Sequence, residues 1–451
     1  MNTSRKLPNV ILINCDDLGY GDMGCYGSKV NKSPYIDKLA ESGMRFTSFY
    51  CASPVCSPSR AALMTGCYPP RIGVNRVLFP GEPYGLNPNE FTMPKLFKNA
   101  GYSTMIVGKW HCGDQREFLP DKFGFDEYFG LPYSNDMGIS VKTTDKERFP
   151  PLPLILNGQI IEEQPDQRGL TERYVEKSVD FIRRNKENNF FLYFAQMHVH
   201  LPLYAAERFV NESENGDFGA CVGSLDWACG AIIYELEKLN ILDDTIIIFT
   251  SDNGSRGDYG SSNQPLRGGK FTTWEGGQRI PFIISWKGKI KPGVNDRIAS
   301  QIDLLPTFAS VINQELGKNK TDGFDLSDMI FNGKDSPRRE FVYYASDMKL
   351  EAVRKDNWKL HFYKNDEPVK LLYNLETDIS EANNVYEFNP DVVTELTEIY
   401  ERYRKTHGDS ITGIKGSEER ACGFVENPVA LTEYNPNHPY IIAMYDKDDM
   451  G

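Results

Sequence analysis

Basic residues are in deficit in this 451-residue chain: 50 Lys and Arg stand against 63 Asp and Glu, a net charge of −13. Phosphate binding needs a basic surface, so the deficit argues against a nucleic-acid partner. It also makes any local cluster of Lys, Arg and His informative, because such a cluster runs against the global field. The nine cysteines include no Cys-x-x-Cys pair, no regular framework and no zinc-type spacing. Mostly reduced, buried thiols are therefore expected. A Cys221–Cys229 bridge is disfavoured by their separation along an expected helix. Met1–Pro8 carries positive charge with no apolar stretch before the first strand. No signal peptide or membrane span is expected, so the chain as given reads as cytoplasmic, or as periplasmic or secreted if a leader was trimmed. Internal repeats and low-complexity segments are absent.

Hydrophobic residues at 40% and charged residues at 25% are ordinary globular usage. Four runs, Asn9–Asn14, Ser103–Val107, Phe190–Ala195 and Thr245–Thr250, are largely continuous in apolar character rather than alternating, which suits strands buried on both faces of a parallel sheet. Helical spacing appears in Leu170–Arg184, in the series Leu225, Cys229, Ile232, Leu236 and Leu239, and in Thr92–Ala100, closed by Gly101. The pattern predicts an α/β fold: a large, mostly parallel sheet with helices on both faces. After about Arg339 it changes to short alternating strands, Glu340–Ala345, Leu350–Lys355 and Asn357–Tyr363, then a helix at Asp391–Lys405. The expected division is a catalytic domain over 1–339 and a C-terminal α+β subdomain with an antiparallel sheet over 340–451. The tail from Gly413 is expected to close over a neighbouring surface.

Polar residues follow directly on the four apolar runs. Cys15-Asp16-Asp17 ends the first, Gly108-Lys109-Trp110-His111 the second, His198-Val199-His200-Leu201-Pro202 the third and Ser251-Asp252-Asn253-Gly254 the fourth. Ligands bind outside the carboxyl ends of strands in such sheets. Asp16, Asp17, Asp252 and Asn253 offer only oxygen, and adjacent carboxylates repel unless a cation neutralises them. That set suits Ca²⁺, with Mg²⁺ as the alternative. Either motif alone reads equally well as a turn with solvated carboxylates. Cys56-Ser57-Pro58-Ser59-Arg60 opens another helix, with Ser57 the expected N-cap and Pro58 in the first turn. The residues alone leave Cys56 as either a nucleophile at a helix N-terminus or an inert buried thiol.

Cys56-Ser57-Pro58-Ser59-Arg60 matches the sulfatase signature Cys-x-Pro-Ser-Arg. Asp16-Asp17-Leu18-Gly19-Tyr20-Gly21-Asp22, Gly108-Lys109-Trp110-His111, Gly130-Leu131-Pro132-Tyr133-Ser134 and Lys270-Phe271-Thr272-Thr273-Trp274-Glu275-Gly276-Gly277 also match. Over roughly Pro8–Asn384 the chain resembles the arylsulfatase A and N-acetylgalactosamine-6-sulfatase branch of the formylglycine-dependent sulfatases, in the alkaline phosphatase superfamily. It departs at Cys67, where the family's Thr-Gly-Arg has Arg, and at Cys112, where Leu usually follows the histidine.

The resemblance implies a sulfate ester hydrolase acting on a sulfated small molecule or glycan, galactose or N-acetylgalactosamine foremost. A maturation enzyme would convert Cys56 to formylglycine, whose gem-diol attacks sulfur and forms a sulfo-enzyme intermediate. Asp252 is implied as base or metal partner, and Asp16, Asp17, Asn253 and position 56 as the other metal ligands. Arg60 and Lys109 would hold the nucleophile. Lys109, Lys270, Ser134 and His200 would bind sulfate oxygens. His200 or Lys270 would protonate the leaving alcohol, and His111 would deprotonate the second hydroxyl to expel sulfate. His198 is expected behind these groups or in the substrate pocket, and His361, His407 and His438 as structural or exposed. Two readings compete. A phosphodiesterase or phosphonate monoester hydrolase of the same superfamily would place histidines among two zinc ligands, where this chain has Asn253. A non-catalytic sulfated-glycan binder is opposed by the intact set.

Overall fold

The computed structural model describes residues 7–140, 149–440, 447 and 451. Ten strands make one sheet: β1 Asn9–Cys15, β2 Met44–Phe46, β3 Ser103–Gly108, β4 Glu127–Gly130, β5 Pro153–Leu156, β6 Gln159–Glu163, β7 Phe190–Ala195, β8 Thr245–Ser251, β9 Phe282–Ser285 and β10 Gly293–Asn295. Their order is β10-β2-β9-β8-β1-β7-β3-β4-β5-β6. The central five, β8-β1-β7-β3-β4, run parallel, and antiparallel pairs β8/β9, β9/β2, β4/β5 and β5/β6 flank them. This is the mostly parallel sheet expected, and the four apolar runs are its middle.

Both faces of that middle are covered. Ile11 and Ile13 of β1 join a core with Ile36 and Leu39 of α1 (Pro34–Ser42), and with Leu170 and Phe181 further along the chain. Val10 and Leu12 face a second core with Leu63 of α2 (Cys56–Thr65), Phe97 of α3 (Met93–Asn99) and, beyond the sheet, Leu305. The first core is completed by α4 (Leu170–Arg184) and α5 (Gly216–Lys238), and the second by α6 (Leu304–Val311). Alternate residues of a strand point to opposite faces, so a strand with no polar position must be covered twice.

A separate antiparallel sheet comprises β11 Glu340–Ala345, β12 Lys349–Lys355, β13 Trp358–Lys364 and β14 Glu367–Asn374, in that order. Three of these match the sequence reading. The fourth, β14, was not anticipated: it starts Glu-Pro-Val-Lys and lies at the sheet edge, where proline and polar residues are tolerated. Helix α7 (Pro390–His407) packs on this sheet, and its Leu396 and Tyr400 share a core with Tyr50 and Tyr68 of the larger unit. The tail runs over neighbouring loops as expected. Gly423–Phe424 pairs with Tyr84–Gly85, and the Val429 N–H donates to the Gln115 side-chain oxygen. All nine cysteines are free, Cys221 and Cys229 among the buried ones. Among the described residues no helix is long and apolar enough to cross a membrane.

Candidate active site

Register brings the parallel strand ends level. Cys15 lies opposite Ser251, Asn14 opposite Ala195 and Gly108 opposite Ala195. The next residues of each strand therefore emerge together on one sheet edge: Asp16 and Asp17, Asp252 and Asn253, the 196–200 segment, and Lys109 to His111. All the polar side chains among these that the sequence singles out are buried, as are Cys56, Arg60, Ser134 and Lys270.

Cys56 is the first residue of α2, with Val55 before it in extended conformation and no side-chain cap. Ser57 is not the N-cap. Its hydroxyl accepts from the Leu78 N–H at 3.1 Å, fixing the 74–82 loop instead. One turn on, Arg60 Nε donates to Asp252 Oδ2 at 2.8 Å and Nη1 donates to the Lys109 carbonyl at 3.0 Å. Ser59 donates its hydroxyl to the Asp252 carbonyl, and buried Gln301 donates to Ser59 Oγ at 2.9 Å. Sequence reasoning missed Gln301, which lies 242 residues away with no local motif.

Three carboxylates meet three cations. Lys109 Nζ reaches Asp16 Oδ2 at 2.6 Å, Lys270 Nζ reaches Asp17 Oδ2 at 2.7 Å, and Arg60 holds Asp252. Asn253 Nδ2 donates to Asp17 Oδ1 at 2.7 Å, and the Asp17 N–H donates to Asp252 Oδ1 at 3.1 Å. Lys109 also donates to Ser134 Oγ at 3.0 Å, which stands 3.2 Å from His200 Nε2. Burial alone would raise Asp16, but Lys109, His200 and Arg60 outweigh it and hold that carboxyl far below its ordinary range. Burial wins at Asp252, pushed up to about 7 against Arg60, with Asp16 adding to the rise. Burial likewise pushes the Cys56 thiol up to about 11, against the pull of Lys109 and Lys270.

A metal ion fits this cluster. Asp16, Asp17 and His200 each offer a ligand atom within 4.8 Å of the others. Asp16 Oδ1 and Asn253 Oδ1 are buried without a hydrogen-bond donor among the described residues. Buried oxygens left unpaired carry a desolvation cost that a bound cation removes.

The two site histidines have their tautomers set by main-chain carbonyls, which can only accept. Leu78 O lies 3.0 Å from His111 Nε2, so that nitrogen carries the proton, and Nδ1 has no partner among the described residues. Leu201 O lies 2.6 Å from His200 Nδ1, leaving Nε2 toward Ser134. Burial lowers both histidines. His198 brackets Asp16 with its main chain: its carbonyl accepts from the Asp16 N–H at 2.9 Å. Elsewhere, His361 is buried against Glu381 at 2.7 Å, His407 is buried against Asp322 at 3.0 Å, and exposed His438 stacks on Tyr440.

Three site residues adopt left-handed backbone. Asp17, His111 and Phe271 have φ of 58°, 60° and 71°. Such conformations at non-glycine residues cost about 1–3 kcal/mol and persist only where surrounding structure fixes them. Asp22 is one such fixture that the sequence reading passed over: buried, it accepts from the Gly19 and Ser262 N–H groups at 2.7 Å each and shapes the loop after Asp17.

A family model described as Sulfatase matches residues 8–313, and one described as N-sulphoglucosamine sulphohydrolase, C-terminal, matches residues 269–406. Arylsulfatase A from Homo sapiens is 38% identical over 379 residues, covering 79% of this chain and 75% of that protein. N-acetylgalactosamine-6-sulfatase from Sus scrofa is 38% identical over 381 residues, covering 79% and 72%. Among solved structures, that of Ps i-CgsB in complex with k-i-k-neocarrahexaose has a TM-score of 0.81 at 31% identity, covering 91% of this chain and 95% of that one.

Proposed function

We propose, because this chain belongs to the sulfatase family and is a sulfuric ester hydrolase, that it removes sulfate from a sulfated sugar, with galactose or N-acetylgalactosamine as the ring attacked. The observation that carries the reading is the placing of Cys56 at a buried helix N-terminus among Arg60, Lys109 and Lys270 on one side and Asp16, Asp17, Asp252 and Asn253 on the other. An oxyanion is drawn by such a cluster of fixed donors and charges in a site closed to water. The sugar assignment is supported by the N-acetylgalactosamine-6-sulfatase relative and by the neocarrahexaose bound to the structural neighbour.

Formylglycine at position 56, made by a maturation enzyme, would supply a hydrated aldehyde with one hydroxyl for attack and one for release, and Ca²⁺ held by Asp16, Asp17, Asp252 and Asn253 would withdraw charge from sulfate oxygens. The chain's own residues do the rest. Asp252, fixed by Arg60, accepts the proton of the attacking hydroxyl. Lys109, Lys270, Ser134 and His200 orient the sulfate oxygens and offset their charge. A bound sulfate anion raises His200, readying Nε2, with Lys270 beside it, to protonate the leaving alcohol. His111 Nδ1, the unpartnered nitrogen, takes the proton that accompanies sulfate release. Residues 1–339 form the catalytic domain in this reading and 340–451 the C-terminal subdomain; the change from the ten-stranded sheet to β11–β14 supports the division.

A panel of sulfated monosaccharides, run beside their phosphate analogues, tests the assignment. Release of sulfate from a galactose or N-acetylgalactosamine ester, in clear preference to phosphate release, is expected. Preferential phosphate release would reject it.

A further inference from the structure

Phe271 stands out because its conformation and its exposure are both unfavourable. Its φ of 71° lies in the left-handed region that suits glycine. Its side chain is 51% exposed, while its neighbours Lys270 and Thr273 are buried. The main chain leaves it no alternative. The Phe271 N–H donates to the Pro54 carbonyl at 3.0 Å, the Lys270 N–H to the Ser255 carbonyl at 2.9 Å, and the Thr272 N–H to the Gly269 carbonyl at 3.0 Å. A half-exposed phenylalanine in a strained turn contributes little to the core, and backbone outliers of this kind cluster at ligand clamps and active sites.

Its position says which ligand. Pro54, to which it is tied, is two residues before Cys56, and Lys270, just before it, gives its ammonium to Asp17. The ring centroid lies 5.1 Å from that ammonium. A sulfate held by Lys270 therefore has the Phe271 ring at its border, where the ester's alcohol must lie. Among the described residues Phe79, next to the Leu78 carbonyl that fixes His111, is also an exposed aromatic, but its ring is stacked on Phe149. No ring stacks on Phe271 among the described residues. A pyranose presents a face of C–H groups that an open aromatic face accepts.

We infer that Phe271 is a specificity-determining residue: its ring is the platform on which the sugar carrying the sulfate ester stacks. The inference rests on the sulfated-sugar reading above. Three variants test it, Phe271→Ala, Phe271→Trp and Phe271→Gly, assayed on N-acetylgalactosamine 6-sulfate and galactose 6-sulfate, with competitive inhibition by inorganic sulfate as the ring-free control. Phe271→Ala should lower kcat/KM on the better ester about tenfold, the scale of one lost aromatic contact, through KM. The inhibition constant for inorganic sulfate should not move, and Phe271→Trp should recover the wild-type value. Phe271→Gly relieves the left-handed strain against the loss of a half-exposed ring and a more flexible unfolded chain, so its melting temperature should stay close to that of wild type. An unchanged kcat/KM in Phe271→Ala, an equal weakening of inorganic sulfate, or a melting temperature several degrees lower in Phe271→Gly overturns the inference alone. Wild-type protein that hydrolyses no sulfated sugar overturns the functional reading and this inference with it.

Discussion

Arg60 and Asp252 form a buried ion pair, Nε to Oδ2 at 2.8 Å, that joins the second turn of α2 to the end of β8. It sets the position of residue 56 against the carboxylate cluster, and it does so through a charge that cannot be removed cheaply. Arg60→Ala leaves Asp252 buried and unpaired, a loss of about 3–5 kcal/mol. The variant should unfold at lower denaturant and have no measurable turnover. Arg60→Lys keeps the charge but not the fork that also reaches the Lys109 carbonyl, so it should recover stability more than activity. Paired denaturant titrations and sulfate-release assays check this; full activity in Arg60→Ala would contradict it.

Lys359 on β13 couples the smaller sheet to the Lys270 loop. Its ammonium is buried, 2.9 Å from Glu275, 3.0 Å from Glu381 and 2.8 Å from the Thr273 carbonyl. Lys359→Met removes the cation the two carboxylates share but leaves Glu275 with Arg279 and Glu381 with His361, so stability should fall by about 1–3 kcal/mol. Because Thr273 and Glu275 lie three and five residues after Lys270 on the same loop, sulfate binding should weaken as well. Denaturation and inorganic sulfate inhibition report the two effects separately.

What could be read in the sequence follows from where each constraint lies. β1, β3, β7 and β8 were legible because burial on both faces leaves a nearly continuous apolar run in each. β2 and β10, three residues each, carry too little pattern, and β6 (Gln-Ile-Ile-Glu-Glu) is an exposed edge. Asp16, Lys109 and Asp252 stand within two residues of the ends of apolar runs, whereas His200 was separated from His198 only by the family resemblance. The Gln301–Ser59 contact, the Lys359–Glu275 pair and the φ of Phe271 were not legible: each is imposed by segments far apart in the chain, and no local spacing encodes it. Ser57 shows the converse. A good local cap signal was overridden by the Leu78 N–H, a tertiary partner.

Asp226 on α5 accepts from the Tyr35 and Ile36 N–H groups at the start of α1, at 3.3 and 2.9 Å, yet burial pushes its carboxyl up to about 7. Between about pH 4 and that value the folded chain keeps a proton that the unfolded chain has released. This group's contribution to stability therefore falls as pH rises through the window and levels off above it. Asp226→Asn cannot titrate, so its melting temperature relative to wild type should rise from pH about 5 to pH about 8. A pH-independent difference would contradict the account.

In the proposed mechanism His111 and His200 serve different stages, so their loss should look different. In His111→Ala the first equivalent of alcohol should appear at a normal rate for a good leaving group, followed by slow turnover. In His200→Ala the first equivalent itself should be slowed, most for alcohols of high pKa. Rapid-quench measurement of alcohol release separates the two. Absence of a burst in His111→Ala, with the first step unimpaired, would reverse the assignment.

The central claim is that position 56 acts as an aldehyde made from cysteine, and peptide mass spectrometry on fully active protein tests it most directly. The account predicts that the peptide spanning residue 56 is about 18 Da lighter than its cysteine form, in proportion to activity, and that Cys56→Ala folds but is inactive. Fully active protein in which that peptide carries only unmodified Cys56 would contradict it.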